Sequence, residues 1–106
     1  IMNLSPVRAV WTDERERDAA RANAALFDQV IWSSWIRALR DGVIALPGRP
    51  ERVVEEMAGS FDLIGFSYYQ GIGVTADLSS APVPAGEPLG PLGHPAWPEG
   101  LREVLE

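Results

Sequence analysis

The rhythm of apolar and polar positions changes several times along the chain. Residues 1–7, IMNLSPV, are an apolar run ending near a proline, and predict a strand that enters a loop at Pro6. Residues 13–41 then switch to helical spacing. Ala20, Ala24, Phe27, Val30, Ile31, Trp35 and Leu39 follow three- and four-residue steps and predict one buried stripe. Asp13 followed by Glu16 fits a capping box. Arg37 and Arg40 suit the negative end of the helix dipole, and Gly42 can adopt the left-handed conformation that stops a helix.

Pro47-Gly48 marks a turn, and Pro50 can open a second helix over 50–58 that buries Val53, Val54 and Met57. Residues 61–69, FDLIGFSYY, are nearly all apolar or aromatic, as in a strand covered on both faces. Alternation along that strand puts Ile64, Phe66 and Tyr68 on one side and Leu63, Gly65, Ser67 and Tyr69 on the other. Strand, helices and strand in this order predict a crossover between parallel strands. Residues 70–96 hold Pro82, Pro84, Pro88, Pro91 and Pro95 and read as a long loop. A last helix, 98–106, opens at Pro98.

The apolar start and the helical pattern that runs to Glu106 both read as cuts in a longer chain. At 106 residues there is room for one small domain. The formal charge of −6 disfavours nucleic acid and anionic membrane surfaces, which attract basic faces. The chain has no cysteine, which removes disulfides, thiolate catalysis and thiolate metal sites and fits a cytoplasmic location. No metal-ligand cluster, phosphate loop or cofactor motif is legible, so neither metal nor cofactor is expected.

Three segments in order resemble glycoside hydrolase family 1. They are Asn3-Leu4-Ser5-Pro6-Val7, then Gly59-Ser60-Phe61-Asp62-Leu63-Ile64-Gly65-Phe66-Ser67-Tyr68-Tyr69, then Trp97-Pro98-Glu99-Gly100-Leu101-Arg102. The second is similar to that family's "GSFDFIGxNYY" strand and the third to its "YPEGLR" element. The helix between, with Phe27, Asp28 and Asp41-Gly42, matches in position a long helix that ends in glycine. It departs from the family near its end, where the usual Trp-Phe and Asp-Pro pairs read Ser34-Trp35 and Arg37-Ala38.

The resemblance implies an α/β fold, a partial TIM (β/α)8 barrel running from roughly strand five to the start of the helix after strand six. It also implies retaining hydrolysis of β-glucosides or related β-glycosides. In that chemistry one carboxylic acid protonates the leaving oxygen, and a carboxylate about 5–5.5 Å away attacks the sugar. The family carries these glutamates in T-x-N-E-P and E-N-G motifs, and neither motif occurs here. By resemblance, Tyr69 is the tyrosine that supports the nucleophile, since a hydrogen bond to a carboxylate favours its charged form. Ser67 stands where the family usually has asparagine, and Asn3 falls near the leaving-group side; both are substrate-binding candidates. The expected partners are a β-glycoside or oligosaccharide and the remaining barrel segments or another copy of the chain.

The remaining functional residue types read more plainly. His94 has no partner at ligand spacing and reads as solvated. Trp32 and Trp35 read as packing residues, while Trp11 and Trp97 are candidates for a site rim. The alternative to an enzyme segment is a non-enzymatic half-barrel that binds sugar or oligomerises to close its sheet edges.

Overall fold

A computed structural model describes residues 2–106; Ile1, the first residue of the strand expected over 1–7, lies outside them. That expected strand is two. Strand β1 is Met2–Leu4 and β2 is Val7–Ala9. Proline lacks a backbone donor, so the ladder breaks between them at Ser5-Pro6. The Pro6 carbonyl still accepts from the Ile72 amide at 2.8 Å.

The helical run starts with a 3-10 turn, Glu14–Glu16, and continues as α1, Arg17–Asp28. A π-helical turn, Gln29–Ser33, leads into α2, Ser34–Asp41. The Asp13 side chain caps the start by accepting from the Arg15 amide at 2.9 Å, rather than through the expected box with Glu16. The run ends where Gly42 takes a φ of 68°, and the Gly42 amide donates to the Ala38 carbonyl.

The expected stripe is corrected in its second half. Ala20 and Ala24 are buried, but after the π turn the buried positions are Ser34 and Ala38, and Trp35 is 55% exposed. A π turn admits an extra residue, so positions beyond it rotate relative to those before it. Ser34 uses the close approach to donate to the Ala45 carbonyl at 2.5 Å.

No helix forms over 50–58. Strand β3, Val43–Ile44, pairs antiparallel with β4, Arg52–Val53, and a 3-10 turn, Glu55–Met57, follows. β-Branched Val43 and Val53 face one another in this ladder, and such pairs favour sheet. The Val54 amide donates to the Gly42 carbonyl at 2.7 Å, a bond a helix through Val54 would forfeit.

The strand expected over 61–69 is paired only over β5, Phe66–Tyr68. It runs parallel to β1, with Met2 opposite Phe66, Asn3 opposite Ser67 and Leu4 opposite Tyr68. The coverage expected on both faces is missing: Leu63 is 91% exposed and Ile64 49%. The segment read as a loop over 70–96 holds β6, Ile72–Val74, and β7, Ser80–Ala81. Strand β6 pairs parallel with β2 and antiparallel with β7. Both strands precede the proline-rich stretch, so the prolines do not oppose them. The last helix, α3, is Pro98–Leu105.

These pairings correct the partial-barrel expectation. A section of a (β/α)8 barrel contributes to one continuous parallel sheet. Among the described residues, strands of two or three residues form three separate small sheets, one of them mixed and one antiparallel. With one interrupted helical run and α3, the molecule is a small α/β domain with mixed sheets.

The core lies where α1 packs on β2 and β6. Its buried apolar side chains are small: Ala20, Ala24, Val74 and Val83, while Ala38 is buried separately where α2 packs on β3. Alanines on the helix bring its backbone close to the sheet. Asn23 locks this approach by donating to the carbonyls of Thr75 at 3.1 Å and Ala76 at 2.8 Å. Among the described residues no large side chain is completely enclosed.

Candidate functional site

The β1–β5 ladder brings Asn3 and Ser67 together. They occupy the same rung, and the Ser67 hydroxyl donates to Asn3 Oδ1 at 3.4 Å. That is a long, weak bond, so neither polar group is strongly committed to the other. Parallel pairing explains the contact: residues 64 positions apart in sequence become neighbours once the crossover returns the chain in the same direction.

Tyr69 lies one residue past β5 and is 56% exposed. Side chains alternate along a strand, so Ser67 and Tyr69 share a side and Tyr68 takes the other. Tyr68 is half-buried and donates its hydroxyl to the Trp97 carbonyl at 2.7 Å. Burial, with Glu103 and Glu99 adding repulsion, raises the Tyr68 pKa, so this phenol stays protonated and donating.

His94 departs from its sequence reading. It is half-buried, and its ring meets the Tyr69 ring edge-on at 6.2 Å between centroids. A tight turn delivers it there: Gly93 takes a φ of 75°, the Gly93 amide donates to the Gly90 carbonyl, and the Gly90 amide donates to the His94 carbonyl. The closely spaced glycines at 90 and 93 were the available signal for that turn.

The tryptophans fall into different settings. Trp97, expected at a site rim, is a structural pivot. Its ring packs against Gly71 and Gly100 and lies 5.6 Å from the Arg8 guanidinium, within cation–π range. Arg8 in turn pairs with Glu103 on α3. Trp11 belongs to the helix start, where its indole donates to Glu14 at 3.0 Å and Arg21 stands over its ring. Trp32 lines a cleft of about 230 Å³ with Ser5, Arg8 and Asp28. Its buried indole N–H has no hydrogen-bond partner.

This arrangement offers hydroxyl, amide, imidazole and phenol groups at one end of a parallel ladder. Such groups can hold a polar ligand or orient a carboxylate supplied from elsewhere. Among the described residues no cluster of three His, Asp or Glu side chains could hold a metal ion. Among the described residues no helix is long and apolar enough to cross a membrane. Compared with protein-family models and with curated protein sequences, the chain matches none.

Proposed function

We propose that the chain is a supporting segment of a retaining β-glycosidase acting on β-glucosides or related β-glycosides, with both catalytic glutamates supplied by polypeptide outside it. The observation that carries this reading is the shared rung of Asn3 and Ser67 with Tyr69 at the strand end beyond it. The family-1-like segments around those same residues favour the same reading. In the proposed site the Tyr69 phenol donates to the nucleophilic carboxylate and favours its ionised form. Ser67 and Asn3 offer hydrogen bonds to sugar hydroxyls or to the leaving group. A chain without cysteine suits a reducing compartment, and the proposed enzyme is cytoplasmic.

The test is hydrolysis of nitrophenyl β-glucoside by the product of the whole reading frame that encodes these residues. Tyr69→Phe is expected to lower kcat by about 10–100-fold, the equivalent of the about 1.5–3 kcal/mol of one hydrogen bond to a charged group. Wild-type turnover by Tyr69→Phe would remove the role given to that phenol. Turnover by the 106-residue chain alone would show that its chemistry is not the one proposed.

A further inference from the structure

Asn3 and Ser67 sit inside the β1–β5 ladder, but Tyr69 does not. It lies one residue past the paired part of β5 and is 56% exposed, so neither the ladder nor burial fixes its ring. A phenol that orients a reactive carboxylate must itself be held, because a displacement of about 1 Å can cost about 100-fold in rate.

The ring that meets Tyr69 is His94, edge-on at 6.2 Å between centroids, within the range in which aromatic rings attract in this arrangement. A small hairpin presents it. The Ala96 amide donates to the Pro88 carbonyl at 3.3 Å, Leu89 and Pro95 form an antiparallel bridge, and the Gly90 amide donates to the His94 carbonyl at 2.9 Å. Gly93 closes the tip with its φ of 75°.

Both rings hang from one anchor. Tyr69 follows Tyr68, and His94 precedes Trp97 by three residues. The Tyr68 hydroxyl donates to the Trp97 carbonyl at 2.7 Å, and the Trp97 ring is packed against Gly71 and Gly100. That bond ties the end of β5 to the end of the hairpin, and so sets the separation of the two rings.

We propose that His94 is the positioning residue for Tyr69: its ring braces the phenol ring and sets the direction in which the Tyr69 hydroxyl points. The contact is ring against ring, so the shape of the imidazole carries it rather than a proton. The inference rests on the glycosidase reading of Tyr69 and adds to it the element that aims the phenol.

The test is a double-mutant cycle in the product of the whole reading frame, with nitrophenyl β-glucoside as substrate. His94→Ala should lower kcat about tenfold, and by no more than Tyr69→Phe does, since misdirecting a hydroxyl costs no more than removing it. KM should stay within about twofold, because Tyr69 holds the enzyme's own carboxylate rather than the sugar. In the Tyr69→Phe background His94→Ala should change kcat by less than about twofold, because the two residues act as one unit. A general loss of folded enzyme would instead lower the rate by the same factor in both backgrounds. His94→Phe keeps a ring at the contact and should recover most of the loss. If Tyr69→Phe is slow but His94→Ala turns over like the wild type, or if the two losses multiply, the inference is overturned and the glycosidase reading stands. A His94→Phe enzyme as slow as His94→Ala overturns the ring contact as the cause. Wild-type turnover by Tyr69→Phe removes the role given to the phenol, and the inference with it.

Discussion

The Tyr68 hydroxyl donates to the Trp97 carbonyl at 2.7 Å, and the bond fastens the start of α3 to β5. Gly100, one turn into α3, faces the same hydroxyl: a methyl group there would overlap the Tyr68 oxygen and stand 2.8 Å from Trp97 Cε3. Tyr68→Phe should therefore cost about 1 kcal/mol, one net hydrogen bond. Gly100→Ala should cost more, about 1–3 kcal/mol, because the added methyl meets both the Tyr68 hydroxyl and the Trp97 ring, and the phenol cannot swing away without giving up its bond to the Trp97 carbonyl. Urea unfolding midpoints of the two variants check the order.

The same phenol makes the structure sensitive to base. Its folded pKa is raised above the ordinary value, so its contribution is complete below about pH 10 and is lost as pH rises through the folded value. Thermal melts from pH 8 upward should show an alkaline loss of stability that Tyr68→Phe lacks.

On the acid side the sign reverses. Asp13 is held below the usual carboxylate range by its side-chain bonds to Arg15, Asp41 by its bond to Arg40, and Asp77 by Thr75 and Ser79. A lowered folded pKa gives stability that is present above the unfolded value, about 3.9, and lost as pH falls through the folded values. Melting temperature should hold steady from neutral pH to about pH 4 and fall below it. All three groups are exposed, so the individual effects are small. Asp77→Asn should flatten part of the acid decline in a pH series of melts.

Gly42 has two constraints at one position. Its φ of 68° disfavours any side chain, and a β-carbon there would lie 2.9 Å from the Val54 carbonyl oxygen. Gly42→Ala should cost at least about 1 kcal/mol from the backbone alone. Hydrogen exchange should show the β3–β4 hairpin opening first, because the Gly42 carbonyl accepts from the Val54 amide.

Ser67→Ala separates binding from folding. The Ser67–Asn3 bond is 3.4 Å long, so its loss should change stability by less than about 0.5 kcal/mol. A marked drop in melting temperature would make Ser67 a packing residue instead of a ligand-facing one.

The sequence by itself determined what depends on neighbours a few residues apart. Gly42 ended the helix because only the left-handed conformation closes the run, and Pro98 opened the last helix because its missing donor is not needed there. Ala20 and Ala24 were legible as buried positions from spacing alone. Of the candidate site, Asn3, Ser67 and Tyr69 were legible through resemblance, whereas the seating of His94 against Tyr69 was not. Tertiary structure decided what depends on distant partners. Val53 and Val54 lean toward strand by their β-branching, yet the preceding Pro50 and the spacing to Met57 admit a short helix, and the Gly42 carbonyl and Val43 selected the strand. The stripe beyond Gln29 rotated because a π turn is set by how the helix must pack at both ends, which three- and four-residue spacing does not encode. Residues 61–65 carry the composition of a doubly covered strand, yet coverage is a property of other segments, and in this chain nothing among the described residues lies over Leu63.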